Sequence, residues 1–240
     1  SDSGNGNNIS NLTGLEYCLN LHELRIYHHP ITDFSPLVSL SRLWRLTIQN
    51  IPELDWTDFA EDLATLERLR VLDLSNTVGV ELDQIAKLID LQWLGLNNCQ
   101  LTDIDPLATL TDLRRLEASF NQIADIKVIA NFNELRNLDL SNNQIVSLDP
   151  LANLTKLDYA AHMYDSNGNH LAGWGYHHVL DLARNQIQNI QPLVDNTTGL
   201  NSGERINIRS NPLTQASLDL VSDLSQAHFW LANQLCFVRN

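Results

Sequence analysis

LQWLGLNNCQLTDIDPLATLTD runs from Leu91 to Asp112. Two more stretches follow without a gap: LRRLEASFNQIADIKVIANFNE from Leu113 and LRNLDLSNNQIVSLDPLANLTK from Leu135. Each is 22 residues long, with apolar residues at positions 1, 4, 6, 11, 14, 17 and 20. Position 9 holds Cys99 in the first, Asn121 in the second and Asn143 in the third. A fixed period of this length marks a chain built by stacking copies of one short unit.

The frame extends both ways. Unit starts fall at Leu21, Leu43, Leu69, Leu91, Leu113, Leu135, Leu157, His177 and Gly203. The pattern LxxLxLxxNxI is that of leucine-rich repeats. Positions 3 to 6 alternate, so they predict a short strand with positions 4 and 6 inward. The second half of each unit is short and often marked by proline, which predicts 3₁₀ or brief helical turns. No unit buries its apolar side alone. Stacking yields an α/β leucine-rich repeat solenoid, with a parallel sheet on the concave face and the short turns on the convex face. Position 9 predicts an inward asparagine ladder through Asn121, Asn143, Asn185 and Asn211. His29, Ile51, Thr77, Cys99 and Asp165 depart from it.

One domain over 1–240 is expected, with a partial repeat over 1–20, about nine repeats over 21–213 and a cap over 214–240. The unit from Leu43 carries four extra residues, and Phe59, Leu63 and Leu66 in it have helical spacing. Asp55 or Thr57 is the expected cap of that helix. The unit from Leu157 loses the pattern after His162, which predicts an irregular insert over 163–176 with DSNGN at its tip. Leu218, Val221 and Leu224 predict a terminal helix over 214–226 that covers the last coil. Ile9, Leu12, Leu15 and Cys18 match positions 11, 14, 17 and 20. The chain therefore starts inside a repeat, and an upstream cap or anchor is expected.

Leucine accounts for 43 of the 240 residues, and this framework explains the excess. The net charge is −14, with 15 basic residues against 29 acidic ones. That balance argues against nucleic acid, whose binders need basic residues to replace counterions. No apolar run reaches the ~18 residues of a membrane span, so no membrane insertion is expected. Nothing matches GxxxxGK[ST], HExxH or GxSxG, so neither catalysis nor a cofactor is expected. Asp165, Asn167 and Asn169 have the first three offsets of a calcium loop, but His170 and Tyr176 stand where glycine and glutamate are needed. His162, His170, His177 and His178 gather nearby without a zinc spacing. A plain turn with core histidines is the reading, and no metal is expected. Cys18, Cys99 and Cys236 are read as buried free thiols.

The outward strand-side positions 2, 3, 5, 7 and 8 carry nine of the fifteen basic residues. Aromatic residues share that face. The candidate partner-binding residues are Trp44, Arg45, Arg70, Trp93, Arg114, Arg115, Phe120, Arg136, Tyr159 and Tyr164. Aromatics and arginines are enriched among interface hot spots. Trp44 and Trp93, two repeats apart, are expected ~10 Å apart. The alternative is that these arginines only pair with Glu117 and Asp139 along the sheet.

ISNLTGLEYCLNLHELRI from Ile9, ITDFSPL from Ile31 and IQPLVDNTTGLNSGERINIRSNPLTQASL from Ile190 resemble bacterial internalin-like leucine-rich repeat proteins. The resemblance covers nearly the whole chain. It implies export, surface attachment and recognition of proteins, and it assigns no role to the residues just named. A surface or secreted module, monomeric and binding a protein with an acidic surface, is the leading expectation. A glycan bound on the concave aromatics is one alternative. An intracellular adaptor is another.

Overall fold

The structure is a computed structural model that describes residues 9–51, 54–157, 179–196, 200, 205–226 and 230–231. Its strands form one parallel sheet in sequence order. They are β1 (Glu23–Tyr27), β2 (Arg45–Gln49), β3 (Val71–Asp73), β4 (Trp93–Gly95), β5 (Arg115–Glu117), β6 (Asn137–Asp139), β7 (Leu180–Asp181), β8 (Arg205–Asn207) and β9 (Trp230–Leu231). The pairing register equals the repeat frame: Leu72, Leu94, Leu116 and Leu138 stand opposite one another at position 4. All four are fully buried, as are Leu74, Leu96 and Leu140 at position 6. The chain is a leucine-rich repeat solenoid.

Two devices turn each strand into the next unit. At position 8 the backbone adopts the left-handed conformation in eight successive coils, at His28, Asn50, Asn76, Asn98, Phe120, Asn142, Arg184 and Ser210, with φ between 55° and 62°. Among non-glycine residues asparagine tolerates this conformation best, which explains its recurrence there. Position 9 then points inward. Asn121 Oδ1 accepts from the amides of Cys99 and Leu101, both at 3.0 Å, and its Nδ2 donates to the Leu96 carbonyl at 2.8 Å. Asn143, Asn185 and Asn211 repeat the arrangement on Ile123, Ile145 and Ile187. Cys99 supplies the donor half alone, its Sγ 3.3 Å from the Leu74 carbonyl. Burial pushes its thiol up to about 11.

On the opposite face, short 3₁₀ turns cover Ser35–Ser39, Asp105–Thr109, Lys127–Asn131 and Asp149–Leu151. Proline stands at the start of three of them, where its fixed φ fits and its missing N–H is no loss. The longer unit forms α1 (Trp56–Ala64), and Asp55 is its cap, accepting from the Thr57 amide. Phe59 of α1 packs 4.8 Å from Phe34 and 5.4 Å from Trp56. Two shorter helices, α2 (Leu82–Ile85) and α3 (Gln191–Asp195), replace the 3₁₀ turn in their units, and α4 (Gln215–Gln226) is the terminal helix expected from the leucine spacing.

Two expectations are corrected. No coil from Leu157 enters the row, because Leu138 of β6 pairs directly with Leu180 of β7. The reason lies in the side chains on offer. The Leu157 frame presents Ala160, His162 and Asp165 at positions 4, 6 and 9. The His177 frame presents Leu180, Leu182 and Asn185, and Asn185 Nδ2 donates to the Leu140 carbonyl at 2.9 Å. The ninth strand is instead β9, after α4. Cys18 is exposed rather than buried, as are Tyr17 and Leu19, so position 20 of the first partial unit is left uncovered. The calcium-like loop at Asp165, the four histidines, the insert over 163–176 and Cys236 lie outside the described residues.

Candidate binding face

Strands stand ~4.8 Å apart, less than the width of an arginine or tryptophan side chain plus its clearance. Large residues in one column must therefore stack as plates. At position 3 the column reads Arg45, Val71, Trp93, Arg115. The Arg45 guanidinium lies 5.0 Å from the Trp44 ring and 5.4 Å from the Trp93 ring, and that of Arg115 lies 5.4 Å from Trp93. Trp93 is thus held between two cations. Each such contact contributes ~0.5–2 kcal/mol, more when desolvated. Arg115 also pairs with Glu117 through Nε at 2.9 Å and through Nη2. Arg45, Trp93 and Arg115 are 5%, 7% and 2% exposed. The expectation that all three stand open to a partner is corrected: they are framework. Trp44 packs against the same cluster and is half-buried.

Position 2 behaves differently. Arg70 reaches Asp90 at 3.2 Å. Arg114 and Arg136 are half-buried, and among the described residues neither has an ion pair. They occupy adjacent strands, with the Arg136 amide donating to the Arg114 carbonyl. Glu134, the acid nearest in sequence to Arg136, is engaged by Lys156.

Position 5 is an acidic column of Asp73, Glu117, Asp139 and Asp181, interrupted by Gly95. A Cβ at Gly95 would lie 2.5 Å from Asp73 Oδ1, so glycine leaves room for that carboxylate. Asp73 accepts from Gln49 Nε2 at 2.7 Å and from the Ser75 amide. Burial pushes the Asp139 carboxyl up to about 6. Two bonds from Ser141 oppose the shift, and Asp181 and Glu117 add to it.

The folded value lies above the ~3.9 of an unfolded aspartate, so the folded state holds this proton more tightly. The destabilisation from ionising Asp139 is absent below pH ~4 and complete once pH has risen through 6. Asp139→Asn keeps an acceptor for Ser141 and removes the charge. It should leave stability nearly unchanged at pH 4 and raise it by up to roughly 3 kcal/mol at pH 7.5. Urea unfolding at the two pH values checks this, and an equal effect at both would refute it.

The rim of the face carries Tyr27, 42% exposed, and Phe120, 57% exposed. Tyr159 and Tyr164 lie outside the described residues. In the sequence, position 8 reads as one more outward position; the repeated asparagines at 50, 76, 98 and 142 are the signal of its left-handed backbone.

Family models for leucine-rich repeats match residues 89–131 (two copies) and 134–157. No curated protein matches the sequence. Solved structures do. An internalin, InlF, from Listeria monocytogenes is 28% identical with a TM-score of 0.68; the match covers 95% of this chain and 68% of that one. Internalin C2 from the same organism is 26% identical with a TM-score of 0.62, covering 87% of this chain and 77% of the other. The leucine-rich repeat ectodomain of the Arabidopsis thaliana receptor kinase GASSHO1/SCHENGEN3, solved in complex with CASPARIAN STRIP INTEGRITY FACTOR 2, is 17% identical with a TM-score of 0.59. It shares the fold over 92% of this chain and 28% of its own.

Proposed function

Starting from an internalin-like leucine-rich repeat solenoid, we propose a single-domain, non-catalytic protein-binding module that takes its partner on the concave face. One observation carries the reading. Arg114 and Arg136 stand side by side on neighbouring strands with no ion pair among the described residues. Like charges placed so cost stability, and Glu134, an acid whose charge both feel, is already bonded to Lys156. An anionic surface laid across the face would offset that repulsion. Arg70 and Trp44 stand at the same repeat position two and three coils away, and Phe120 lies on the rim at the far end of the strand; aromatics and arginines are hot-spot residue types. The partner is a protein with an acidic surface, steered to this side of a molecule that is otherwise acidic.

The likeness to internalins favours a chain at the cell surface or secreted. Among the described residues, no helix is long and apolar enough to cross a membrane. A glycan partner fits less well, because guanidinium groups already occupy the Trp93 ring. The test is affinity capture from host and self lysates, followed by titration of the captured protein. Arg114→Ala with Arg136→Ala should weaken binding about 30-fold or more, and higher salt should slow association. Val38→Ala, on an exposed 3₁₀ turn of the opposite face, should do little. Binding that survives the double change and fails with Val38→Ala would overturn the proposal.

A further inference from the structure

Position 8 of each coil is left-handed, and half of its occupants are asparagine. Phe120 and Arg184 are not. Of the four other occupants, His28, Phe120, Arg184 and Ser210, all exposed, Phe120 alone offers a large apolar side chain and Arg184 alone a guanidinium. The two residues lie on one track. The Phe120 amide donates to the Ser141 carbonyl, the Asn142 amide to Ala183 and the Arg184 amide to Arg209, so Phe120, Asn142 and Arg184 sit on successive rungs.

Beside Arg184 opens a cavity of about 190 Å³, lined by Ser141, Asn142, Asp181, Arg184, Asn207 and Arg209 among others. Asp181 also lines it: its carboxylate accepts from the Ala183 amide at 3.1 Å and Asn207 Nδ2 at 3.0 Å and offsets one of the two guanidinium charges, which leaves the lining with one positive charge in excess. Among the described residues neither arginine has an ion pair, and Arg184 reaches only the side-chain oxygen of Asn142, at 3.3 Å.

We propose that this track docks an extended acidic segment of the partner protein, with an apolar side chain on Phe120 and a carboxylate between Arg184 and Arg209. The inference rests on the protein-binding reading and adds the chemistry and spacing of the bound segment. Two rungs span ~10 Å, and an extended chain advances ~3.3 Å per residue. The apolar residue and the acid therefore stand three positions apart.

The test uses the intact chain and a synthetic decapeptide carrying leucine three residues before glutamate. The control peptide has glutamine in place of that glutamate. The acidic peptide should bind and shift the amide resonances of Phe120, Asn142 and Arg184. Arg184→Gln and Arg209→Gln should each weaken it about tenfold, as should the glutamine control. Phe120→Asn should weaken binding while raising the melting temperature, because asparagine suits the left-handed backbone. Val38→Ala, on an exposed 3₁₀ turn of the opposite face, should leave peptide binding unchanged. Failure of the peptide to bind, or binding indifferent to both arginine changes, overturns the track. So does a Phe120→Asn variant that melts lower than the parent. If the peptide fails while Arg114 and Arg136 still govern capture of the whole partner, the track falls and the concave-face reading stands.

Discussion

Asn121→Ala is expected to destabilise the fold by roughly 3–5 kcal/mol, since each buried polar group left without a partner costs about 1–3 kcal/mol. The side chain is 8% exposed and links two coils. Its removal strands the amides of Cys99 and Leu101 and the carbonyl of Leu96. It also removes the bond to the Ala118 carbonyl within its own turn. Water has little access to replace these partners. Urea unfolding of the parent and variant at constant slope measures the loss. A change under about 1 kcal/mol would mean that the ladder is not what joins the coils.

Leu116→Ala is the second large effect, expected at roughly 2–5 kcal/mol. Leu94, Leu116 and Leu138 form one column with no exposed surface. Each is gripped by the coil on either side, so a vacancy in the middle cannot collapse without moving both neighbours. A loss below about 0.5 kcal/mol would show that the repeat frame is wrong.

The fold was legible because the period is strict where the core is built. Position 4 and position 6 leucines, the position-9 asparagines and the terminal helix follow from spacing, which also narrows the α1 cap to Asp55 or Thr57; the structure has Asp55 there. The coil from Leu157 misled because a leucine at position 1 is necessary but not sufficient. The frame that pairs with β6 starts 20 residues later, at His177, and offers Leu180 and Leu182 at positions 4 and 6. Cys18 departs from the frame with its neighbours Tyr17 and Leu19, all three exposed.

The binding face was less legible. Outward positions on a sheet are not equally exposed, because ~4.8 Å spacing stacks large side chains into one another. That effect buries Arg45, Trp93 and Arg115 and leaves Arg114 and Arg136, one position earlier, to meet solvent. Alternation of residue types cannot distinguish these columns. The left-handed turn at position 8 is also invisible to alternation, although it sets where Phe120 and Arg184 point.

Hydroxyl-radical footprinting of the chain, alone and with the captured partner, tests concave-face binding most directly. Tyr27 and Phe120 lie on the rim of that face. Val38 is exposed on the 3₁₀ turn of the opposite face, and Val146 is exposed on the segment leading to the next such turn. Labelling of Phe120 and Trp44 should fall on complex formation while Val38 and Val146 label as before. Protection of those two valines, with Phe120 and Trp44 labelled as in the free chain, would contradict concave-face binding.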